Sequence, residues 1–338
     1  MFESYSWFSK LPSDTLRECT ENLNQFFEVM YERQMIWKRR FLDKKERPWT
    51  DNKIFQESKF TNVYRELDRN SQWQIKNIIL DNSLSERDLI WKMMVFRFFN
   101  CPETFEFGKK NKGWKNGIPS FEEYNEDEFA TFIKEVRESG QNPYTTAYLI
   151  NSSKNPRDYH YTRIVIPALH KKIDELITVV KNAKKPEDII NFLLTLPAVA
   201  AFIAHEFYQD FTYIPRYTDR TFMKFDQNDF TNVGPGASIG IRLIFPYLKG
   251  VDQKQGIYWL RDRAEEALTE IAKKKGEPMP YLEWDKKKKC YYVSEKCNIT
   301  LHQIEMWLCE YQKYWKMIIG MGKQRSKFEP KTKELIVK

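Results

Sequence analysis

Apolar residues recur three and four positions apart through nearly every segment of this 338-residue chain, a spacing that admits little besides a packed array of helices. The first such stretch is 14–42, where Asp14 can cap a helix whose buried stripe is Leu16, Leu23, Phe26, Phe27, Met30, Met35 and Trp37. Arg33, Lys38, Arg39 and Arg40 fall on its polar face. Helices are also predicted over 58–80 and over 85–99, the latter opened by Ser85 and Asp88 as a Ser-x-x-Asp cap. Gly108, Gly113 and Gly117 among lysines predict a loop from Asn100 to Pro119. Helical spacing returns at 126–139, 163–182, 186–211, 238–249, 257–275 and 300–319. One strand pair interrupts it: Tyr281, Leu282 and Trp284, then Cys290, Tyr291, Tyr292 and Val293, flank Asp285 and four lysines. The expected fold class is all-α with a small β-hairpin near 281–293.

An aromatic content of 15% rules out a disordered chain, and the length suffices for one large domain or two closely packed ones. The formal charge of +8 favours a polyanionic partner through counterion release. Cys19, Cys101, Cys290, Cys297 and Cys309 are odd in number and unevenly spaced, which points to a reducing compartment. With no signal-peptide pattern and no long apolar run, a cytoplasmic protein that spans no membrane is expected. Cys290, Cys297, His302 and Cys309 match no paired zinc spacing and supply too few thiols for an iron–sulfur loop, so neither metal nor cofactor is expected. GxxxxGK[ST] and Gly-x-Ser-x-Gly are both absent from the sequence.

Chemistry is most concentrated in 193–213, LLTLPAVAAFIAHEFYQDFTY. A helix ends near Leu196, Pro197 and small residues turn the chain, and an Ala-rich helix follows at once. This is the outline of a helix-hairpin-helix, whose turn amides grip a DNA phosphate, although Ala198 and Ala200 stand where glycine is usual. An ordinary helical turn would read the same way. Near the end of the second helix, Asp210 meets the unfavourable end of the helix dipole among Phe207, Phe211 and Tyr213. Such a carboxylate serves either as a helix-end acceptor or as the group that stabilises an oxocarbenium ion in glycosidic cleavage. Asp226 and Asp229 are reserves for that role, and His205 lies close by as a rim or core histidine. In 226–240, DQNDFTNVGPGASIG, the residues Gly234, Gly236, Ala237, Ser238 and Gly240 open an apolar helix, and their glycines suit a phosphate clamp or close helix packing.

Five segments occur together in one order: VFRFFNCPETFEF at 95–107, TTAYLI at 145–150, YQDFTYIP at 208–215, GPGASIG at 234–240 and IEMWLCEYQKYWK at 304–316. Over roughly residues 85–316 the chain resembles the alpha-glutamyl/putrescinyl thymine pyrophosphorylase family, allied to the helical domain of phage hydroxymethyluracil DNA kinases and to the DNA glycosylase superfamily. The resemblance implies a helix-hairpin-helix, glycosylase-like helical fold acting on hypermodified pyrimidines in phage DNA, with some members building the modification and others excising it in bacterial defence. It assigns Asp210 to the family's acidic position and Gly234, Gly236 and Gly240 to its GPGA turn. Phe98, Asn100 and Thr104 match its Phe-Asn-x-x-Glu-Thr-like run, and Tyr148 matches its Ala-Tyr pair. The lysine that Schiff-base lyases use is missing, Phe202 standing near its place, so direct hydrolysis is expected.

The expected protein is a monofunctional DNA N-glycosylase that flips a modified pyrimidine, such as glucosylated 5-hydroxymethylcytosine, out of double-stranded phage DNA and excises it in anti-phage defence. Asp210 is the first choice as catalytic carboxylate, with Asp229 and Asp226 behind it. Phe98, Asn100, Thr104, Tyr148 and His205 form the base pocket, and Ala198, Ala200, Gly234, Gly236, Ala237, Ser238 and Gly240 contact phosphates. Lysines of 109–115, 286–289 and the C-terminal tail add phosphate contacts or simply solvate the surface. The alternatives are a transferase that installs an amine or amino acid on activated 5-hydroxymethyluracil, and a non-catalytic reader of modified DNA. The expected organisation is an N-terminal helical region over 1–84, a glycosylase-like domain over 85–320 and a basic tail over 321–338, with no obligate protein partner.

Overall fold

The computed structural model describes residues 18–145 and 155–322, so Asp14, Tyr148 and nearly all of the basic tail lie outside the described residues. What is described is mostly helix with one two-stranded sheet. Contacts gather into two compact units, one made of Met1–Leu67 with Thr231–Lys338 and the other of Asp68–Phe230. The expected boundary at 84 falls inside the second unit, and the segment 85–320 contributes to both.

In the first unit, α1 (Thr20–Trp37) buries Phe26, Phe27, Met30, Met35 and Trp37, then widens into a π-helical turn over Lys38–Leu42. The Tyr31 hydroxyl donates to the Glu277 carbonyl at 2.7 Å and the Gln34 amide to the Pro280 carbonyl at 3.0 Å, fixing α1 to the chain entering the sheet. α2 (Lys53–Glu57) is a single capped turn. α11 (Pro235–Ile244) packs against α13 (Leu301–Ile318), and α12 (Gln253–Lys275) lies against both and against α1. Thr300 and Gln303 form a reciprocal cap at the start of α13. The hairpin falls where it is expected: β1 (Tyr281–Asp285) pairs antiparallel with β2 (Cys290–Ser294), Trp284 opposite Tyr291. The Asp285 carboxylate closes the turn by accepting from the amides of Lys287 and Lys288, both at 2.9 Å.

The second unit is built around α4 (Glu86–Phe99), which begins at Ser85 as expected, with the Ser85 hydroxyl accepting from the Asp88 amide. Every residue from Leu89 to Phe99 is buried, so beyond its first turn this helix has no solvent face and forms the axis of the unit. Around it stand α3 (Arg69–Gln74), α5 (Pro102–Lys112), α6 (Glu126–Glu138), α7 (Arg157–Tyr159), α8 (Ile166–Asn182), α9 (Pro186–Leu193) and α10 (Ala201–Tyr217).

Two expectations need correction. The helix expected from residue 58 starts only at Arg69; before it, Phe60, Val63, Tyr64 and Leu67 are buried in an irregular segment with one 3-10 turn, which imitates helical spacing. The loop expected over 100–119 instead contains α5, which Pro102 opens and Gly113 ends with φ 69°. Gly108 lies inside that helix because the Gly117 carbonyl oxygen approaches to 2.3 Å of where a β-carbon would stand. Glycine here marks close backbone approach, whereas the sequence suggested a turn.

Lys92, on the axial helix, is fully enclosed and donates to the carbonyls of Lys115 and Ile118 at 2.8 and 2.7 Å. Burial pushes its pKa down to about 8, against the opposing pull of Asp88. The unfolded chain therefore binds the proton more tightly between that value and the ordinary lysine pKa of about 10.4. The stability this group contributes is complete above the ordinary value and is lost as pH falls through about 8. Denaturation midpoints should rise from pH 8 to pH 10, and Lys92→Met should flatten the rise; an equally steep rise in the variant would remove Lys92 as its cause.

Candidate functional site

An axial helix buried on all sides leaves Arg97 no route to water, so its guanidinium must be paired inside the unit. The partner is Asp210 on α10, two turns before the helix ends. Arg97 grips it with two parallel bonds, Nε to Oδ2 at 2.7 Å and Nη2 to Oδ1, while Gln74 Nε2 donates to Oδ2 at 3.1 Å. Arg97 and Asp210 are 2% and 1% exposed. One turn earlier on the same face of α10, the Glu206 carboxylate stands 3.9 Å from Arg97 Nη1. Two carboxylates therefore share one guanidinium. His205 and Gln209 continue the buried polar face, with the Gln209 amide 3.0 Å from His205 Nε2, and Phe230 sets its ring edge-on to the imidazole.

α9 and α10 form a helical hairpin over the stretch singled out in the sequence. Ala198 adopts φ 63°, the left-handed conformation that favours glycine and costs an alanine about 1–2 kcal/mol. Leu196 and Val199 anchor the turn inward, whereas Leu194 and Phe202 are 43% and 42% exposed at its tip. Ala200, at the N-cap of α10, has no side-chain acceptor to cap the helix.

The remaining expected residues are dispersed. Asp226 and Asp229 are exposed and shape one turn, where Asp229 Oδ2 accepts from the Asp226 amide at 2.7 Å and Asp226 Oδ1 from the Asn228 amide at 2.6 Å. Phe98 packs edge-on against Phe207, and Thr104 donates to the Pro143 carbonyl at 2.8 Å, both within the core. Asn100 ends α4 with φ 49° and is 2% exposed; its side-chain oxygen is buried without a hydrogen-bond partner among the described residues. In the first unit, Gly236 and Gly240 face α13, where β-carbons would lie 2.8 Å from Cys309 Sγ and 2.2 Å from the Leu308 carbonyl oxygen. Ala237 is buried, the Gly234 amide donates to Glu305 Oε1 at 3.2 Å, and Ser238 donates to Gln253 at 2.9 Å. These glycines serve helix packing, and a protein carboxylate already occupies the start of α11.

Arg97, Gln74 and Glu206 escaped the sequence reading. A lone arginine in the apolar run MMVFRFF was the available signal for the first, and the four-residue spacing from Asp210 for the third. Among the described residues no group of three His, Cys, Asp or Glu side chains gathers as metal ligands, and no helix is long and apolar enough to cross a membrane.

Residues 20–324 match the family described as 5-hmdU DNA kinase, helical domain. The chain belongs to that family. A relative called 5-hmdU DNA kinase, from Bacillus phage SP10, is 28% identical over 307 residues, which are 86% of this chain and 44% of the relative. The chain thus spans less than half the length of that curated relative. No solved structure matches it.

Asp210→Asn removes the charge that neutralises a buried guanidinium and should cost about 3–5 kcal/mol in chemical denaturation. A variant of normal stability would mean that the pair does not hold the unit together. Gly236→Val meets Cys309 and should lose about 1–3 kcal/mol while its folded fraction keeps its DNA affinity. Normal stability with lost DNA binding would return this turn to a phosphate-binding role.

Proposed function

We propose that this chain acts enzymatically on DNA carrying a 5-substituted pyrimidine of the 5-hydroxymethyluracil kind, and that its second unit is a glycosylase-like module that breaks the N-glycosidic bond of an extruded nucleotide. The observation that carries this reading is the buried cluster on α10, where the Asp210 and Glu206 carboxylates both stand within reach of the Arg97 guanidinium in a desolvated setting. A buried carboxylate stabilises positive charge developing at the sugar C1′ and disfavours an incoming polyphosphate. That chemistry sets hydrolysis ahead of phosphoryl transfer by these residues, whatever the relative's name says of the relative.

In this proposal Asp210 is a positioning group that fixes Arg97, and Glu206, the less enclosed carboxylate, faces the sugar. The bond between C1′ and the pyrimidine N1 breaks, the base departs with the electron pair, and water adds to C1′, giving its proton to Glu206. The unpartnered Asn100 oxygen lies one turn beyond Arg97 on the axial helix and suits the N–H edge of a base. At the α9–α10 hairpin, the start of α10 offers a phosphate-facing helix N-terminus, and Leu194 and Phe202 an apolar tip to fill the space of an extruded base. Phosphate contacts thus go to the turn with Ala198 and Ala200.

Glu206→Gln keeps the shape of the side chain and removes its charge. Single-turnover incubation with DNA containing 5-hydroxymethyluracil or a glucosylated 5-hydroxymethylpyrimidine, followed by mass spectrometry of bases and nucleosides, should show base release falling about 100-fold in this variant, roughly 3 kcal/mol of barrier, with DNA binding retained. Release by the variant at the normal rate would exclude Glu206. A mass gain on intact nucleosides in place of released base would favour the transferase, and no product from any modified DNA would leave a reader.

A further inference from the structure

The first unit holds a cleft of about 570 Å3 between α1, the segment 45–52, the end of α12 and Tyr314 of α13. Its walls are fixed by their own hydrogen bonds. Arg39 donates to the Trp49 carbonyl at 2.8 Å and to Glu32 at 2.9 Å, Gln56 to the Thr50 carbonyl at 2.7 Å, the Trp49 indole to the Lys45 carbonyl at 2.7 Å, and Asn52 to the Tyr314 hydroxyl at 2.6 Å. Lys38 and Arg39 both reach Glu277, which anchors the chain just past α12. A surface cleft with this many internal ties keeps its form whether or not it is filled.

Four exposed charged side chains border it. Lys45 and Lys275 line the cleft without an ion pair or side-chain hydrogen bond to any described residue, and so do Glu28 and Asp51. Beside them Arg40 and Arg47 both lie over the Trp49 ring, 5.0 and 5.5 Å from its centroid. Burial first, and then the charge of Arg47, disfavour the ionised form of Arg40. A simple anion would be repelled by Glu28 and Asp51, and a simple cation by the lysines and arginines. A ligand that unites a phosphate with a ring N–H donor satisfies both sets, and the volume lies in the range of about 300–1,000 Å3 typical of small-molecule sites.

We propose that this cleft is a nucleotide-binding site: Lys45 and Lys275 hold a phosphate, one carboxylate of Glu28 and Asp51 accepts from the single ring N–H of a thymine-type base while the other stays in solvent, and Trp49 supplies an aromatic wall. The nucleotide is either free or one unit of a DNA strand, and the chemistry recognised is the same. The site is separate from the α10 carboxylates and does not depend on their reaction.

Calorimetric titration of the full chain with dTMP, with a short oligothymidylate and with inorganic phosphate tests it, using the wild type and Lys45→Gln/Lys275→Gln. Because neither lysine has a partner to lose, the double variant should melt as the wild type does. Saturable one-to-one binding of dTMP that weakens at least tenfold in the double variant is the expected result for a free nucleotide. Oligothymidylate binding with the same loss, and no binding of dTMP, would place the nucleotide within a strand. The proposal is overturned if neither ligand binds, if the double variant binds both as the wild type does, or if inorganic phosphate binds as tightly as dTMP, which would make this an anion site without base recognition.

Discussion

The bidentate pair between Arg97 and Asp210 is the interaction on which the second unit turns. Water is excluded along the whole axial helix from Leu89 to Phe99, so a guanidinium there must be satisfied by protein, and the two oxygens of Asp210 with the amide of Gln74 do this. The pair thereby fixes the rotation of α10 relative to α4 and brings the polar face of α10, Glu206 and His205 included, inward among aromatic rings. A hydrophobic pair of similar volume could pack these helices as tightly. The charged solution has a consequence that an apolar one lacks, since it keeps Glu206 within reach of a fixed positive charge.

Glycine and alanine set the finer geometry in both units. Gly236 and Gly240 let α11 approach α13 to a separation that any β-carbon would forbid, and Gly108 does the same for the chain at Gly117. Ala198 takes the opposite course and accepts a left-handed conformation at a cost, in a turn that Leu196 and Val199 hold from within. Strain kept at the tip of a hairpin, beside two exposed apolar side chains, is the kind of feature that a binding role explains better than packing does.

Membership in the 5-hmdU DNA kinase helical-domain family and a hairpin followed by a buried acidic cluster are what support the proposal of a module that handles a modified nucleotide. The cleft proposed for a nucleotide in the first unit is built from a different part of the chain.

The helical class, the strand pair at 281–293 and the cap at Ser85 were legible in consecutive residues, because side-chain periodicity and capping are local. The sequence also located the stretch 193–213 and the acidic residue within it. Which carboxylate is sealed and which is less enclosed was decided only by tertiary structure, since Asp210 is neutralised by an arginine 113 residues away and Asp226 and Asp229 are spent on a surface turn. The same holds for glycine. Composition could not tell a turn at Gly108 from a helix pressed against Gly117, nor an anion-binding loop at Gly234–Gly240 from a helix start that Glu305 already fills, because close approach and charge pairing are made by residues far apart in the chain.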